Sequence, residues 1–281
     1  MTHTDTVERG YDRNGTPQRT AVREDGEMYH DDDLRLALAL ADIADAITMD
    51  RFRAADLRVD TKPDLTPVSE ADSAVETALR EYLARERPGD AIIGEEYGAT
   101  GGPGRRWIID PIDATKNYVR GIPVFATLIG LQDHAEVVVG VVSAPALARR
   151  WWAGRGTGAV CNGDSIGVSA VAKLEDAQLS INSIESFEPY GLGDRILEMS
   201  RRCWRTRGFG DFWSHMLVAE GAVDVAIEPI VSEWDLAPLQ VIVEEAGGRF
   251  TDLAGMRRID GGNVVTSNGV IHDEALRFFA R

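Results

Sequence analysis

Four short apolar runs between residues 91 and 142 limit the possible folds of this chain more than any other feature. They occupy residues 91–93, 107–109, 124–131 and 137–142 and are rich in β-branched side chains. Runs of this length and composition are typical of buried strands. The sequence therefore predicts a sheet in the middle of the chain.

A different pattern follows a Gly-rich hairpin predicted at about residues 154–167. Strand-like runs then alternate with four predicted helices, at about residues 191–203, 213–220, 235–245 and 272–279. This alternation is the signature of an α/β layer.

Two amphipathic helices are predicted before the apolar runs. The first covers about residues 34–52, behind an acidic first turn at residues 31–33. Its inward face is predicted from five apolar residues at roughly helical spacing: Leu36, Leu40, Ile43, Ile47 and Met49. Two prolines make residues 62–67 a loop, and the second helix opens at Ser69 or Asp72 and ends at Pro88.

The chain divides into a tail and two halves. Residues 1–30 have few large apolar side chains and no sustained periodicity, which predicts a flexible tail. Residues 31–170 form an α+β half that carries the acidic motifs described below. Residues 171–281 form an α/β half that completes a shared active site.

Composition narrows the class of protein. The chain has 281 residues, of which 44% are hydrophobic and 27% charged, as in an ordinary globular protein. A net charge of −16 argues against nucleic acid as a partner, since cationic side chains must neutralise its phosphates. Two distant cysteines, Cys161 and Cys203, and the lack of a signal peptide or membrane-length apolar run predict a cytoplasmic protein with no membrane partner.

Acidic residues directly follow two of the predicted strands. Glu95 and Glu96 come after the first apolar run, and Asp110 and Asp113 come after the second. Mg²⁺ prefers oxygen ligands, so carboxylates that converge from strand ends are typical of a magnesium site. Pro111 is expected to stiffen a tight bend, so that both aspartates and the Ile112 carbonyl face one cavity. The next residues can open a helix whose N–H groups point at an anion.

The alternative interpretation of these acids is a solvated loop or helix caps. For an isolated aspartate this alternative usually holds, and for Glu96 alone the two interpretations are equally good. For a set that follows two separate strands the alternative is much weaker.

Three sequence blocks resemble the inositol monophosphatase superfamily. They are GEE at residues 94–96, WIIDPIDATKNY at 107–118, and EWDLAP at 233–238 followed by EEAGG at 244–248. The resemblance runs from about residue 34 to the end, and the three blocks together are highly specific. It implies a layered αβαβα sandwich and a phosphomonoesterase with two or three Mg²⁺ per site. It also implies a homodimer and inhibition by lithium.

The resemblance also implies a role for each matching residue. The metal ligands would be Glu95, Asp110, the carbonyl of Ile112, Asp113 and Asp235. Thr115 and Glu95 would polarise the attacking water, with Asp72 as a further catalytic residue or a third metal position. The amides of Ala114 and Thr115 would hold the phosphate.

Ala114 departs from the family pattern, which has glycine at this position. Alanine adds a methyl group beside the phosphate and narrows the allowed backbone angles. The departure leaves two consequences open, a weakened activity or a different substrate.

Residues 116–129 and 210–215 resemble the histidinol-phosphate phosphatase branch of the superfamily. The branch implies a small phosphorylated substrate, L-histidinol phosphate, and a step late in histidine biosynthesis. Asp211 and Glu228 are then the candidates to bind its cationic amine and imidazole. Glu228 could instead be a surface charge and Asp211 a helix N-cap, while His215 is expected to be a packed or hydrogen-bonded residue.

Two other functions remain open from the sequence. One is a phosphomonoesterase for inositol phosphates, sugar phosphates or a nucleotide such as 3′-phosphoadenosine 5′-phosphate. The other is a catalytically silent family member that binds phosphate without turnover, which Ala114 alone favours. Retention of every predicted ligand argues against the silent alternative, because unused buried carboxylates are costly.

Overall fold

The computed structural model of this chain describes residues 9–11, 17–19, 31–63 and 65–280. The first two ranges are short strands, β1 (Arg9–Tyr11) and β2 (Pro17–Arg19), which pair antiparallel. Both fall within the predicted tail of residues 1–30, most of which lies outside the described residues. The flexibility expected of that tail stays a prediction.

Two long helices cover one face of the molecule, α1 (Asp31–Arg51) and α2 (Glu70–Glu86). Both were predicted, and Ser69 is the N-cap of α2. The inward face of α1 differs from the expected one at its end, where Met49 is 43% exposed. The buried stripe instead continues from Leu40 through Ala44 to Thr48, since positions four residues apart share one helix face.

A short hairpin that the sequence did not predict lies between these helices. Its strands are β3 (Val59–Thr61) and β4 (Pro67–Ser69), and the Lys62 amide donates to the Thr66 carbonyl across the turn, at 2.8 Å. Pro67 occupies the first position of its strand, where the missing N–H is tolerated.

The larger sheet has eight strands in the order β12-β11-β10-β9-β8-β7-β5-β6. They are β5 (Ala91–Gly94), β6 (Gly98–Thr100), β7 (Arg106–Asp113), β8 (Ala126–Asp133), β9 (Glu136–Ala144), β10 (Arg149–Gly154), β11 (Ala159–Cys161) and β12 (Asp164–Ser165). β5 runs parallel to β7, and the other neighbours are antiparallel. All four predicted apolar runs are therefore strands of this sheet.

The acidic motif at residues 110–113 is not the tight bend after a strand that the sequence predicted. It is the last part of β7, where pairing with β8 shifts register between Asp110 and Asp113. Pro111 lacks an N–H for the strand ladder, and irregular positions of this kind are where strands accept proline. A five-residue helix, α3 (Thr115–Val119), begins just after the strand.

The smaller sheet has five strands in the order β14-β13-β15-β17-β16. They are β13 (Gln178–Ile181), β14 (Arg205–Arg207), β15 (Val225–Glu228), β16 (Arg249–Thr251) and β17 (Val264–Ser267). The four predicted helices are present as α4 (Gly193–Arg202), α5 (Asp211–Ala219), α6 (Glu233–Glu245) and α7 (His272–Leu276). Short 3₁₀ helices lie at Pro145–Leu147, Leu174–Asp176 and Glu185–Tyr190.

These elements stack as five layers. α1 and α2 pack on one face of the larger sheet, and α5 and α6 lie between the two sheets. α4 and α7 cover the far side of the smaller sheet. The fold is the αβαβα sandwich that the resemblance implied, a mixed α+β and α/β architecture. The division near residue 170 stays a prediction, and the core between the sheets draws on both predicted halves.

Two glycines let α6 lie close against the larger sheet. A Cβ at Gly140 would lie 2.7 Å from the Pro238 carbonyl, and one at Gly130 would lie 2.8 Å from the Ala237 Cβ. Larger residues would therefore push the helix outward. This close packing fixes the position of the first turn of α6, where Asp235 lies.

The two cysteines, Cys161 and Cys203, are both buried and free. None of the described helices is both long and apolar enough to cross a bilayer.

Candidate active site

Three carboxylates converge where the end of β7 lies beside the first turn of α6. Asp110, Asp113 and Asp235 each offer an oxygen, and these oxygens lie within 4.8 Å of one another. The first two come from the irregular end of β7, and the third comes from the first turn of α6. Oxygen donors at this spacing can bind one hard cation between them. We call these three residues the carboxylate cluster.

Backbone N–H groups hold each carboxylate of the cluster. The Ile112 amide donates to Asp110 Oδ1 at 3.0 Å, and the Phe212 amide donates to Asp113 Oδ2 at 2.8 Å. Asp235 closes a capping box, with the Ser232 amide donating to its Oδ2 at 2.7 Å. These bonds orient the acids, but N–H groups do not neutralise their charge.

The three acids of the cluster lie in an environment that disfavours their charged forms. Burial, then the charges of Glu95 and Asp113, raise the pKa of Asp110 well above its usual value. Burial, then the charges of Asp211 and Asp235, do the same to the pKa of Asp113. Burial is also the largest cause that raises the pKa of Asp235 to about 7.

A divalent cation fits this environment. Within the described residues, no lysine or arginine forms an ion pair with a carboxylate of the cluster. Buried anions of one sign need a counter-charge, and a hard cation with oxygen ligands supplies it. The residues present therefore suit Mg²⁺.

Raised pKa values make cation binding depend on pH. The pKa of Asp235 is raised to about 7, mainly by burial, and a ligand must lose its proton before it binds metal. The same raised pKa means that the metal-free protein loses stability as pH rises from about 4 to about 7, whereas binding of a cation at this site would strengthen. We expect the rise in melting temperature caused by 5 mM Mg²⁺ to be larger at pH 8 than at pH 6, by roughly 5 °C. Thermal scans with Mg²⁺ or a chelator measure it, and an equal or smaller rise at pH 8 would contradict the expectation.

Glu95 is not one of the three acids whose oxygens lie within 4.8 Å of one another, but its charge raises the pKa of Asp110. Its Oε1 lies 2.7 Å from Lys62 Nζ, which also pairs with Glu96 at 2.7 Å. Lys62 reaches both acids from the turn between β3 and β4. Burial lowers the pKa of Lys62, but hydrogen bonds to Glu95 and Glu96 outweigh that effect and raise it overall. The Lys62 ammonium supplies a counter-charge to Glu95, and the role of Glu95 as a metal ligand stays a prediction.

Glu76 organises the turn that carries Glu95, and the sequence interpretation missed it. Its fully buried carboxylate accepts from the amides of Glu96 at 2.7 Å and Tyr97 at 3.2 Å, and it pairs with Arg80 at 2.7 Å. A Cβ at Gly94 would lie 2.1 Å from Glu76 Oε1, which explains the glycine of the GEE block. The available signal was an acid four residues after Asp72, on the otherwise apolar face of α2.

Thr115 and Asp72 face each other across the site. Thr115 Oγ1 lies 3.3 Å from Asp72 Oδ1 and 2.9 Å from the Ile112 carbonyl, and its single proton can be donated to either. Asp72 is fully buried, and its other oxygen accepts from the amide and hydroxyl of Ser69. Burial is the largest cause that raises the pKa of Asp72.

Ala114 adopts the left-handed backbone conformation that glycine favours. Its φ is 64° and its ψ is 44°, at the N-cap of α3. The Ala114 carbonyl accepts from the Asn117 and Tyr118 amides, while the role of the Ala114 and Thr115 amides as a phosphate cradle stays a prediction.

We expect Ala114→Gly to raise the free energy of unfolding by about 1 kcal/mol, because an alanine Cβ is strained at positive φ. Denaturant titration measures the change. Ala222→Gly is the control, since Ala222 is exposed and lacks a positive φ, so glycine there should only destabilise. A loss of stability in both variants would contradict the strain at Ala114.

A cavity of about 130 Å³ opens directly beside the cluster. Its lining includes Asp113 and Asp235 from the cluster, together with Asn182, Asp211, His215 and Glu228. Glu228 is only 4% exposed, so its interpretation as a surface charge is wrong. Gly210, not Asp211, is the N-cap of α5, so the cap interpretation of Asp211 is wrong as well.

The negative charge of one cavity acid, Glu228, acts on another, Asp211. Burial, then the charge of Glu228, raises the pKa of Asp211 to about 7. His215 is buried, as expected, and hydrogen-bonds to Thr266 and Glu228 rather than facing the cluster. A second negative region thus lies next to the first, and it suits a cationic group.

Comparison with known proteins agrees with this architecture. The family model for the inositol monophosphatase family matches residues 30–279. A histidinol-phosphatase of Mycobacterium tuberculosis is 55% identical over 89% of this chain and 98% of its own length. A histidinol-phosphatase of Streptomyces coelicolor is 53% identical over 88% of this chain and 96% of its own length.

A solved structure gives the same result for the fold. The IMPase of Thermotoga maritima superposes with a TM-score of 0.80 at 33% sequence identity, over 88% of this chain and 96% of that one. The family model and these relatives cover nearly all of the described sequence from α1 onward. The chain therefore belongs to the inositol monophosphatase family.

Proposed function

We propose that this chain is a Mg²⁺-dependent phosphomonoesterase that hydrolyses L-histidinol phosphate to L-histidinol and phosphate. The observation that carries the proposal is the continuity of the carboxylate cluster with the acidic cavity, since Asp113 and Asp235 belong to both. Similarity to two proteins named histidinol-phosphatase, each above 50% identity, supports the same substrate.

The proposed metal ligands are Asp110, Asp113 and Asp235, joined by Glu95 and the Ile112 carbonyl. When bound, two or three Mg²⁺ would supply the positive charge that offsets the phosphate dianion and acidifies the attacking water. The cluster holds its three carboxylates in place before any ligand arrives, through the amides of Ile112, Phe212 and Ser232. Little reorganisation is then needed when substrate binds.

Thr115 and Asp72 are the proposed proton-handling pair. If Thr115 donates its hydroxyl proton to Asp72 Oδ1, 3.3 Å away, a lone pair of Thr115 Oγ1 is free to accept from the attacking water. That hydrogen bond orients the water and makes it a better nucleophile. Glu95 is the proposed second acceptor for this water.

Asp211 and Glu228 are proposed to bind the cationic part of the substrate. The ammonium group of histidinol phosphate would offset the charges of Glu228, which is buried, and Asp211, which is half-buried and whose pKa burial and the charge of Glu228 raise. A polyol such as inositol brings no positive charge to this region. The cavity chemistry therefore favours a cationic amino alcohol.

The cellular setting is proposed on family likeness and composition. It comprises a cytoplasmic homodimer that acts late in histidine biosynthesis and is inhibited by lithium. Neither nucleic acid nor a membrane is proposed as a partner.

Phosphate release from a panel of esters, with Mg²⁺ and with a chelator, tests the proposal. We expect kcat/KM for L-histidinol phosphate to exceed that for inositol 1-phosphate by at least about 100-fold, since each lost charged contact costs roughly 1.5–3 kcal/mol. The reverse order would favour the inositol phosphatase alternative, which the similarity to the Thermotoga maritima IMPase supports. A parent as inactive as its Asp113→Asn and Thr115→Ala variants would favour the silent alternative.

A further inference from the structure

We propose that Asn182 is a positioning residue that sets the selectivity of the site for cationic esters. The inference rests on the proposed function and deepens it. Asn182 follows the last residue of β13, at the edge of the cavity. Its one side chain ties together the two segments that carry Asp211 and Glu228.

Both ends of the Asn182 amide are used. Its Nδ2 donates to Glu228 Oε2 at 2.8 Å, and its Oδ1 accepts from the Asp211 amide at 2.7 Å. The orientation of the amide is fixed, because a backbone N–H can only donate and an ionised carboxylate can only accept. Asp211 is the first residue of α5, and Glu228 is the last residue of β15. The two acids, 17 residues apart in sequence, are thereby both held by the Asn182 side chain.

The turn before α5 is built against Asn182. Gly210 has a φ of 73° and Asp211 a φ of 50°, so two successive residues lie in the left-handed region. Asp211 adopts that region at a cost of about 1 kcal/mol, which a hydrogen bond to its amide can offset. A Cβ at Gly210 would lie 2.5 Å from Asn182 Oδ1, so the contact also requires glycine there.

Glu228 is held from its other side by His215. His215 Nε2 lies 3.3 Å from Glu228 Oε1, and His215 Nδ1 lies 2.8 Å from Thr266 Oγ1. With Glu228 ionised, Nε2 is the donor and Nδ1 accepts from the threonine hydroxyl. Each oxygen of Glu228 thus receives one hydrogen bond from the protein and keeps a lone pair for substrate.

Asn182 is hydrogen-bonded to the residues proposed to select the substrate and not to those proposed to carry out the reaction, within the described part of the chain. Asn182 contacts neither Thr115 nor the carboxylates of the cluster by hydrogen bond within the described residues. Its loss should therefore loosen the two acids that recognise a cation and leave the cluster in place. Asn182 is exposed, so replacing it creates no cavity in a packed core.

The test compares a cationic ester with a neutral one. In Asn182→Ala we expect KM for L-histidinol phosphate to rise by about 10- to 30-fold, with kcat and the kinetics of glycerol 2-phosphate changed less than about threefold. Gly210→Ala disrupts the same contact from the opposite side and should also raise KM for L-histidinol phosphate. Ser183→Ala, at the exposed neighbouring position, is the control and should match the parent.

Either of two results would overturn the inference. One is an Asn182→Ala variant that keeps the parent's preference for the cationic ester. The other is an Asn182→Ala variant in which kcat/KM falls equally for both esters and the melting temperature also falls. That result is expected of a residue that only stabilises the fold. The proposed function fails separately, and the inference with it, if the parent itself shows no preference between the two esters.

Discussion

Asp113→Asn is expected to lower phosphate release from L-histidinol phosphate by at least about 1,000-fold and, at the same time, to raise the stability of the metal-free protein. Activity falls because the cluster loses one of its three anionic oxygen donors. Stability rises because a half-buried carboxylate, whose pKa desolvation and neighbouring acids raise, is replaced by a neutral group. The amide oxygen of asparagine can still accept from the Phe212 amide.

We expect the gain in free energy of unfolding to be about 1–2 kcal/mol at pH 8 with a chelator present. Steady-state phosphate release and denaturant titration give the two measurements. Asp164→Asn removes the same formal charge at an exposed strand position and should change neither. An Asp113→Asn variant that stays active, or that is less stable than the parent without metal, would show that the cluster does not bind the cation as proposed.

Thr115→Ala is expected to lower kcat by about 100- to 10,000-fold while KM changes little, because the lost hydroxyl orients the attacking water and does not bind the substrate's cationic part. Asp72 would then lie opposite a methyl group and lose its partner in the site. Stopped assays at saturating substrate measure kcat directly.

Thr115→Ser is the matched variant for this prediction. Serine keeps the hydroxyl within reach of Asp72 and the Ile112 carbonyl, so we expect kcat to return to within about tenfold of the parent. If serine were no better than alanine, the methyl group rather than the hydroxyl would be the important feature. If alanine kept the parent's kcat, Thr115 would have no part in activating water.

Local sequence patterns predicted most of the helices and strands, because apolar periodicity and capping residues are properties of short segments. The apolar runs from residue 91 to residue 142 are strands, and the α2 helix begins at the predicted serine cap. Asp110 and Asp113 lie close in sequence, so their proximity follows from one strand end. The five-layer order came from the family resemblance, since periodicity alone does not say which face of a sheet a helix covers.

The rest of the site depends on contacts between distant segments. Asp235 reaches the cluster because α6 packs closely on the larger sheet over Gly130 and Gly140, which no local pattern indicates. Lys62 holds Glu95 because a hairpin turn directs it there. The turn at Gly210 is hydrogen-bonded to Asn182, a residue 29 positions from Asp211.

The most direct test of the cation site is a crystal soaked in Mn²⁺, which takes the same oxygen ligands as Mg²⁺ and scatters anomalously. We expect an anomalous peak between Asp110, Asp113 and Asp235, about 2.0–2.3 Å from an oxygen of each carboxylate. We also expect the peak to disappear in crystals of Asp113→Asn. A map with no peak among these three residues, or with its strongest peak elsewhere in the molecule, would contradict the account.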